Sequence, residues 1–329
     1  MSAEKLASLP EFILPVSWTQ PNKFMLKGGE TWAHKMLQSF FAERGKNYQY
    51  DISKPHESRK SCSRLSPYLA WGNISVRQFY QSILLKRTEK GWKRSLDAVA
   101  SRLHWHCHFI QKFESEHQMQ WRPVNKAYSE LTYPKVHLGL TIEERLIKWQ
   151  QGETGYPLVD ACMLCLVKTG YINFRMRAML VSFLCHHLLL DWRLGVWIIS
   201  FGISDNIIRV YNPVKQSLEK DTQGTFIRTW LPSLSEIPNE MIHTPWDLTP
   251  MEQQLYQCQL GVDYPLPIID INEAGKIARD LLWSFQKRID TSKESQRILS
   301  KHVRRTKKSS KASLLTKGKK DKKDKKAMS

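Results

Sequence analysis

The stretch Cys62-Ser63-Arg64-Leu65-Ser66-Pro67 puts a thiol and two hydroxyls just ahead of a helix start. Free backbone N–H groups at such a start, aligned with the peptide dipoles, favour an anion. Taken alone, the segment is equally an ordinary capped helix, with Ser66 as N-cap and Pro67 in the first helical position. Arg175 and Arg177 stand two apart. On a helix they diverge, so one can face a bound group while the other makes a structural pair. A buried arginine there requires an acidic partner. His104, His106, Cys107 and His108 invite a metal reading, yet they face different sides of one helix and do not converge on one ion. Cys162, Cys165, His186 and His187 lie on apolar helices, where such residues are usually core. No metal site is expected.

The elements that must position these groups are helical. Of the 329 residues, 41% are hydrophobic, enough to bury a core in one large domain or two ordinary ones. The 12 Trp fit either a large helical core or aromatic stacking and electron transfer. Trp32, Met36, Leu37 and Phe40 form one stripe of a helix over 30–43. Further helices are expected from Ser66–Pro67, over 75–85, 95–113, 141–150, 157–168, 173–190 and 273–289, with Glu143 and Glu144 in one first turn. Residues 46–60 and 118–140 read as loops, and 212–240 as irregular apart from a short turn at 226–230. Alternating strand patterns are nearly absent, so the fold class is all-α.

The formal charge is +19, of which residues 301–329 hold +11, thirteen Lys/Arg against two Asp. The other 300 residues still carry +8, and a basic body favours a polyanionic partner. The end segment is too charged to bury anything and is expected to be disordered. The N-terminus does not resemble a signal peptide, and six cysteines in a cytoplasmic protein are expected to be reduced. No apolar run approaches the roughly 20 residues of a membrane span; 178–190 is interrupted by His186 and His187.

Several ordered motifs give the chain a family. TGYPLVDA at 154–161, GYINFRMRAMLVSFLCHHLLLDWRLG at 170–195 and RVYNPVKQS at 209–217 resemble the flavin-binding helical domain of DNA photolyases and cryptochromes. The resemblance implies FAD as cofactor. It places the FAD diphosphate on Ser63 and Ser66, with Cys62 where relatives carry Thr, and on Tyr50, twelve residues upstream of Cys62. Leu65, His106, Phe174 and Arg177 are implied to line the cofactor, Arg177 on the flavin side. Trp105 matches a tryptophan that lies beside a damaged pyrimidine pair, with His106 in place of Arg and Arg102 in place of an acid that hydrogen-bonds the base. Arg102 cannot accept such a bond. Trp192 matches the middle member of an electron-relay chain; Trp197 is the stand-in for the innermost one.

After Gly195, relatives carry on the order of twenty further residues, which the eight residues between Gly195 and Ser204 cannot span at about 3.5 Å each. Asp205 and Asn206 are then the polar candidates for the ring edge. In the family, light excites reduced FAD, an electron passes to a cyclobutane pyrimidine dimer, and the ring splits. The implied partner is DNA, damaged or non-specific, with a separate chain as one possible source of the antenna domain that this sequence does not resemble. Segments are expected at 1–29 (lead-in), 30–247 (FAD-binding domain), 248–299 (helical extension) and 300–329 (Lys-rich tail). The alternative is a non-catalytic, cryptochrome-like or nucleic-acid-binding relic with weak or no flavin.

Overall fold

A computed structural model describes residues 22–195 and 210–302, and the chain is all-α. Helix α1 (Glu30–Ala42) leads into short turns at Arg44–Asn47, Tyr48–Asp51, Ser58–Ser61 and Ser66–Ala70. Then come α2 (Val76–Lys86), α3 (Lys93–Ser115), α4 (Ile142–Gln151), α5 (Pro157–Thr169) and α6 (Phe174–Ser182). After residue 210 follow α7 (Pro213–Lys220), α8 (Thr225–Trp230), α9 (Pro250–Leu255), α10 (Ile271–Gln286) and α11 (Ile289–His302). Two-residue strands at Val136–His137 and Leu140–Thr141 pair antiparallel. Among the described residues, no helix is long and apolar enough to cross a membrane.

Side chains that satisfy first-turn N–H groups fix many of the starts. Ser75 with Gln78, Thr141 with Glu144 and Thr249 with Glu252 form reciprocal capping boxes for α2, α4 and α9. Asn173 accepts from the Met176 amide at α6, and Asp270 from Asn272 and Glu273 at α10. Gly152 ends α4 in the left-handed region, at φ 71°.

Two apolar clusters form the core. One draws on Phe40, Leu65, Phe79, Ile83, Trp92 and Leu96. The other joins α5 and α6 to Trp149, Phe226, Ile227, Tyr264 and Ala274. Buried polar nodes tie the second cluster together. The Asp160 carboxylate accepts from Thr154 N (2.9 Å), Thr154 Oγ1 (2.6 Å), Gly155 N (3.0 Å) and Tyr264 Oη (2.6 Å). Its pKa is pushed up to about 6 by burial, against the opposing pull of those donors. Arg145, fully buried, donates to the carbonyls of Thr141, Pro134, Lys135, Leu188 and Leu189.

The structure corrects several expectations about elements. Residues 46–60 are not a plain loop, because turns at Tyr48–Asp51 and Ser58–Ser61 wind against α3 and the chain after α1. The stretch 212–240 contains a full helix, α7: Asn212 accepts from Lys215 N and Pro213 occupies the first turn. The helix expected over 173–190 stays α-helical only to Ser182 and continues as a π-helical turn, Phe183–His187. The turn after Leu65 begins at Ser66 itself, with Leu65 as N-cap, so the Ser66 hydroxyl does not cap it. Residues 118–140 include a strand and two 3-10 turns, and α11 runs on past residue 300.

Candidate functional site

Loop 62–65 is held in a strained shape by an arginine that serves backbone carbonyls. Arg64 lies at φ 58°, a region that L-residues with a Cβ enter at a cost of roughly 1 kcal/mol or more. The Arg44 guanidinium donates to the carbonyls of Met36 (3.0 Å), Lys60 (3.0 Å) and Ser63 (3.0 Å), and to that of Cys62. Leu65, with no exposed surface, anchors the loop in the first core cluster. The Arg64 guanidinium lies over the Tyr171 ring at 4.8 Å, and the Tyr171 hydroxyl bonds the Cys62 thiol. Burial lifts the Cys62 pKa to about 11, so the group is a neutral thiol and a weak donor.

Arginines crowd this loop. Arg59 donates to Tyr171 O (3.1 Å) and Thr169 Oγ1 (3.4 Å), at the end of α5. Arg44, Arg59 and Arg64 form no ion pair among the described residues. Burial lowers the pKa of Arg64, and the charge of Arg59 lowers it further. Its Nε and Nη2 are buried without any hydrogen-bond partner.

Two other segments meet the loop. From α3, Arg102 reaches the hydroxyl of buried Tyr48, which lies near Cys62. Burial, the largest cause, raises the Tyr48 pKa. Trp105, one turn further on, carries the Arg102 guanidinium over its ring at 4.0 Å and is 45% exposed. The adjacent His106 has a buried Nδ1 without a partner. From α6, the Asn173 amide donates to the Ile52 and Lys54 carbonyls, both at 3.2 Å, which pins the helix start to the turn after Tyr48–Asp51. The Arg177 Nε donates to Ile172 O at 3.4 Å; burial lowers the Arg177 pKa, and nearby Tyr171 opposes the shift.

The structure thus brings Cys62, Arg64 and Arg177 beside Tyr171, with Ser63 and Leu65 on the same loop, and Arg102 links Trp105 to Tyr48; His106 follows Trp105 on α3. Tyr50 and Ser66 are exposed, and Phe174 is half exposed at the start of α6. Arg175 lies over Tyr211 at 5.8 Å rather than beside Arg177. Trp192 packs partly buried against the second core cluster. Trp197, Asp205 and Asn206 lie outside the described residues. Sequence reasoning missed Arg44, Tyr48, Arg59 and Tyr171, and passed over Arg64. Only Arg64 carried a signal, since it stands between two hydroxyl-bearing positions of the loop.

The donor set fits FAD. A buried guanidinium with unpartnered N–H groups has donors free for acceptors from outside the chain. A diphosphate offers nothing but acceptors, and Arg64 with the Ser63 and Ser66 hydroxyls offers donors. Among the described residues, no three His, Cys, Asp or Glu are placed to hold a metal ion.

Comparison with known proteins agrees with this geometry. The family model described as the FAD binding domain of DNA photolyase matches residues 99–201 and 196–284. The two stretches overlap at residues 196–201, just after Gly195. A deoxyribodipyrimidine photo-lyase of Alkalihalophilus pseudofirmus is 34% identical over 76% of this chain and 54% of its own length. A cryptochrome DASH of Synechocystis sp. is 31% identical over 84% and 60%. The crystal structure of a Synechocystis cryptochrome superposes with a TM-score of 0.72 at 29% identity, covering 82% of this chain and 60% of the other. The chain therefore spans little more than half the length of these relatives. It belongs to the DNA photolyase and cryptochrome family, and it carries that family's FAD-binding domain.

Proposed function

We propose that this chain is a flavin-dependent, DNA-binding protein that presents a base to bound FAD from the Trp105 side. One observation carries the reading: three distant segments, at 62–65, 102–106 and 173–177, converge on Tyr48, Cys62 and Tyr171 around unpartnered buried donors. In this reading Ser63, Ser66, Arg64 and Tyr50 hold the diphosphate, Leu65, His106 and Phe174 line the cavity, and Arg177 faces the flavin. Reduced FAD would supply an electron under light. The protein's part is to hold that cofactor in a dry site and to place a flipped base against the Trp105 ring. The basic body would neutralise phosphates, and the Lys-rich end would add salt-sensitive, non-specific affinity.

The test is the visible spectrum of the purified protein, before and after incubation with FAD. A colourless protein that takes up no flavin would refute the reading. Blue light and reductant applied to thymine-dimer oligonucleotides then address repair separately. A second reading, a non-catalytic DNA-binding protein that retains the fold, is favoured by one feature: Arg102 stacks on Trp105 where relatives carry an acid. Flavin binding without loss of dimers would support it.

A further inference from the structure

We infer that Arg44 is a positioning residue for the flavin site: it draws the carbonyls of Lys60, Cys62 and Ser63 to one side, and so turns the amides of the loop and the Arg64 guanidinium toward the diphosphate. The inference rests on the proposal that this loop holds FAD. A guanidinium has five N–H donors and no acceptor. In Arg44 every one of them is used within the chain. Nε donates to Ser39 Oγ at 3.0 Å, and Nη1 to Lys60 O at 3.0 Å and to Cys62 O. Nη2 donates to the carbonyls of Met36 and Ser63, both at 3.0 Å. These acceptors come from α1 and from the loop, so one side chain ties the two together. Arg44 has no N–H left for a phosphate. Arg64 is its complement, with Nε and Nη2 buried and unpartnered.

A trans peptide sets its C=O and N–H on opposite sides. Drawing the Cys62 and Ser63 carbonyls onto Arg44 therefore turns the Ser63 and Arg64 amides away from it. Among the described residues, neither amide donates to a protein group. Arg64 at φ 58° is followed by Leu65 at φ −87° and ψ −8°. Such alternation of left- and right-handed backbone turns successive amides into a concave cradle for an anion. A carbonyl oxygen facing the same cradle would repel a diphosphate, and Arg44 holds those of Cys62 and Ser63 out of it. The same bonds keep the loop in a shape whose positive φ at Arg64 is unfavourable by itself. Two neighbouring arginines thus differ in kind: Arg64 has donors for a ligand, and Arg44, saturated, supports the loop that presents them.

The experiment is a flavin fluorescence titration of the full chain with FAD, comparing the parent with Arg44→Lys, Arg44→Met, Arg64→Met and the double variant Arg44→Lys with Arg64→Met. Lysine keeps the charge but replaces a planar fork with a single nitrogen, so it cannot hold all of these acceptors. Arg44→Lys is expected to weaken FAD binding by roughly tenfold or more, as Arg44→Met does. The double variant should lose less than the product of the two single losses, because Arg44 acts through the loop that carries Arg64. Parent affinity in Arg44→Lys would overturn the inference, since charge alone would then suffice. Losses that multiply in full would overturn it too, by making Arg44 an independent contributor. A thermal melt of each variant shows whether it is folded at the assay temperature. Loss of the cooperative transition in both Arg44 variants would make Arg44 a residue of the fold alone, again against the inference. A parent that binds no FAD defeats the flavin reading itself, whereas a parent that binds FAD no better than its Arg44 variants defeats only this inference.

Discussion

Arg64→Met should stabilise the protein without flavin and weaken its hold on flavin, and the opposite signs make the test decisive. Methionine keeps an apolar stem against Tyr171 and removes the charged head. In the flavin-free protein the head carries two buried nitrogens with no partner. Each unsatisfied group costs about 1–3 kcal/mol. Removing the head also forfeits a cation–π contact with Tyr171, which contributes roughly 0.5–2 kcal/mol. The backbone strain at φ 58° stays, since methionine has a Cβ as arginine does. The balance runs from neutral to about 5 kcal/mol in favour of the variant, and its centre of about 3 kcal/mol would raise Tm by roughly 6–12 °C.

With FAD the balance reverses. Charge-assisted hydrogen bonds to a diphosphate contribute about 1.5–3 kcal/mol, so affinity should drop roughly 10- to 150-fold. Flavin fluorescence titration reads the affinity, and melts with and without FAD read the stability. The gain in Tm from saturating FAD should shrink in step, because ligand stabilisation follows the ratio of free ligand to Kd. A variant that melts lower without flavin and binds FAD as tightly as before would refute the argument. It would make Arg64 a structural cation for Tyr171 and the end of α5.

Asp160 makes a pH prediction. Its folded pKa is raised to about 6 from 3.8, so it contributes stability that is full below pH 3.8 and is lost as pH rises through about 6. Urea unfolding between pH 4 and 7 should therefore show the parent chain losing about 3 kcal/mol relative to Asp160→Asn as pH rises; parallel curves would show that the carboxylate does not titrate in that window. Arg145→Leu strips donors from buried carbonyls of Thr141, Pro134, Lys135, Leu188 and Leu189 and should cost about 3–5 kcal/mol, read as a lower urea midpoint, whereas a loss under 1 kcal/mol would mean that water replaces the guanidinium. Truncation after residue 300 should flatten the salt dependence of DNA binding by several units of slope, since the removed segment carries thirteen Lys/Arg; an unchanged slope would exclude it from phosphate contact.

How far the sequence reached depended on whether a feature was local. Capping residues act over three positions, so Ser75 and Asn173 marked their helix starts correctly. The α7 helix was missed because prolines across 212–240 outweighed the Asn212–Pro213 start signal within it. The π-helical turn at Phe183–His187 has no pattern in a run of apolar residues that suits an α-helix equally well. At the site, Ser63, Ser66 and Arg177 are singled out by their motifs; in the structure Ser66 is exposed and Arg177 lies near Tyr171. Arg44 and Arg59 are not singled out, because an arginine that serves distant carbonyls has no sequence spacing to betray it. Tyr48 carries no motif of its own: Tyr50, two residues on and 61% exposed, has the spacing the resemblance uses, while Tyr48 is buried near Cys62 and Arg102.

The contacts that hold the framework together are separate from the exposed face of α3 that carries Arg102 and Trp105. The Thr154–Tyr156 turn is joined directly to the segment before α10. Ile268 N donates to Thr154 O, the Tyr156 hydroxyl donates to Ile269 O, and Asp160 receives the Tyr264 hydroxyl. A Cβ at Gly155 would fall 2.4 Å from the Leu266 backbone, so only glycine permits that approach. These contacts are satisfied and buried, and Arg102 takes no part in them. Arg64 belongs to neither group: its unmet donors destabilise the flavin-free chain and are useful only when acceptors arrive. Under the proposed function, cofactor binding would then depend on a loop that the framework's nodes do not include.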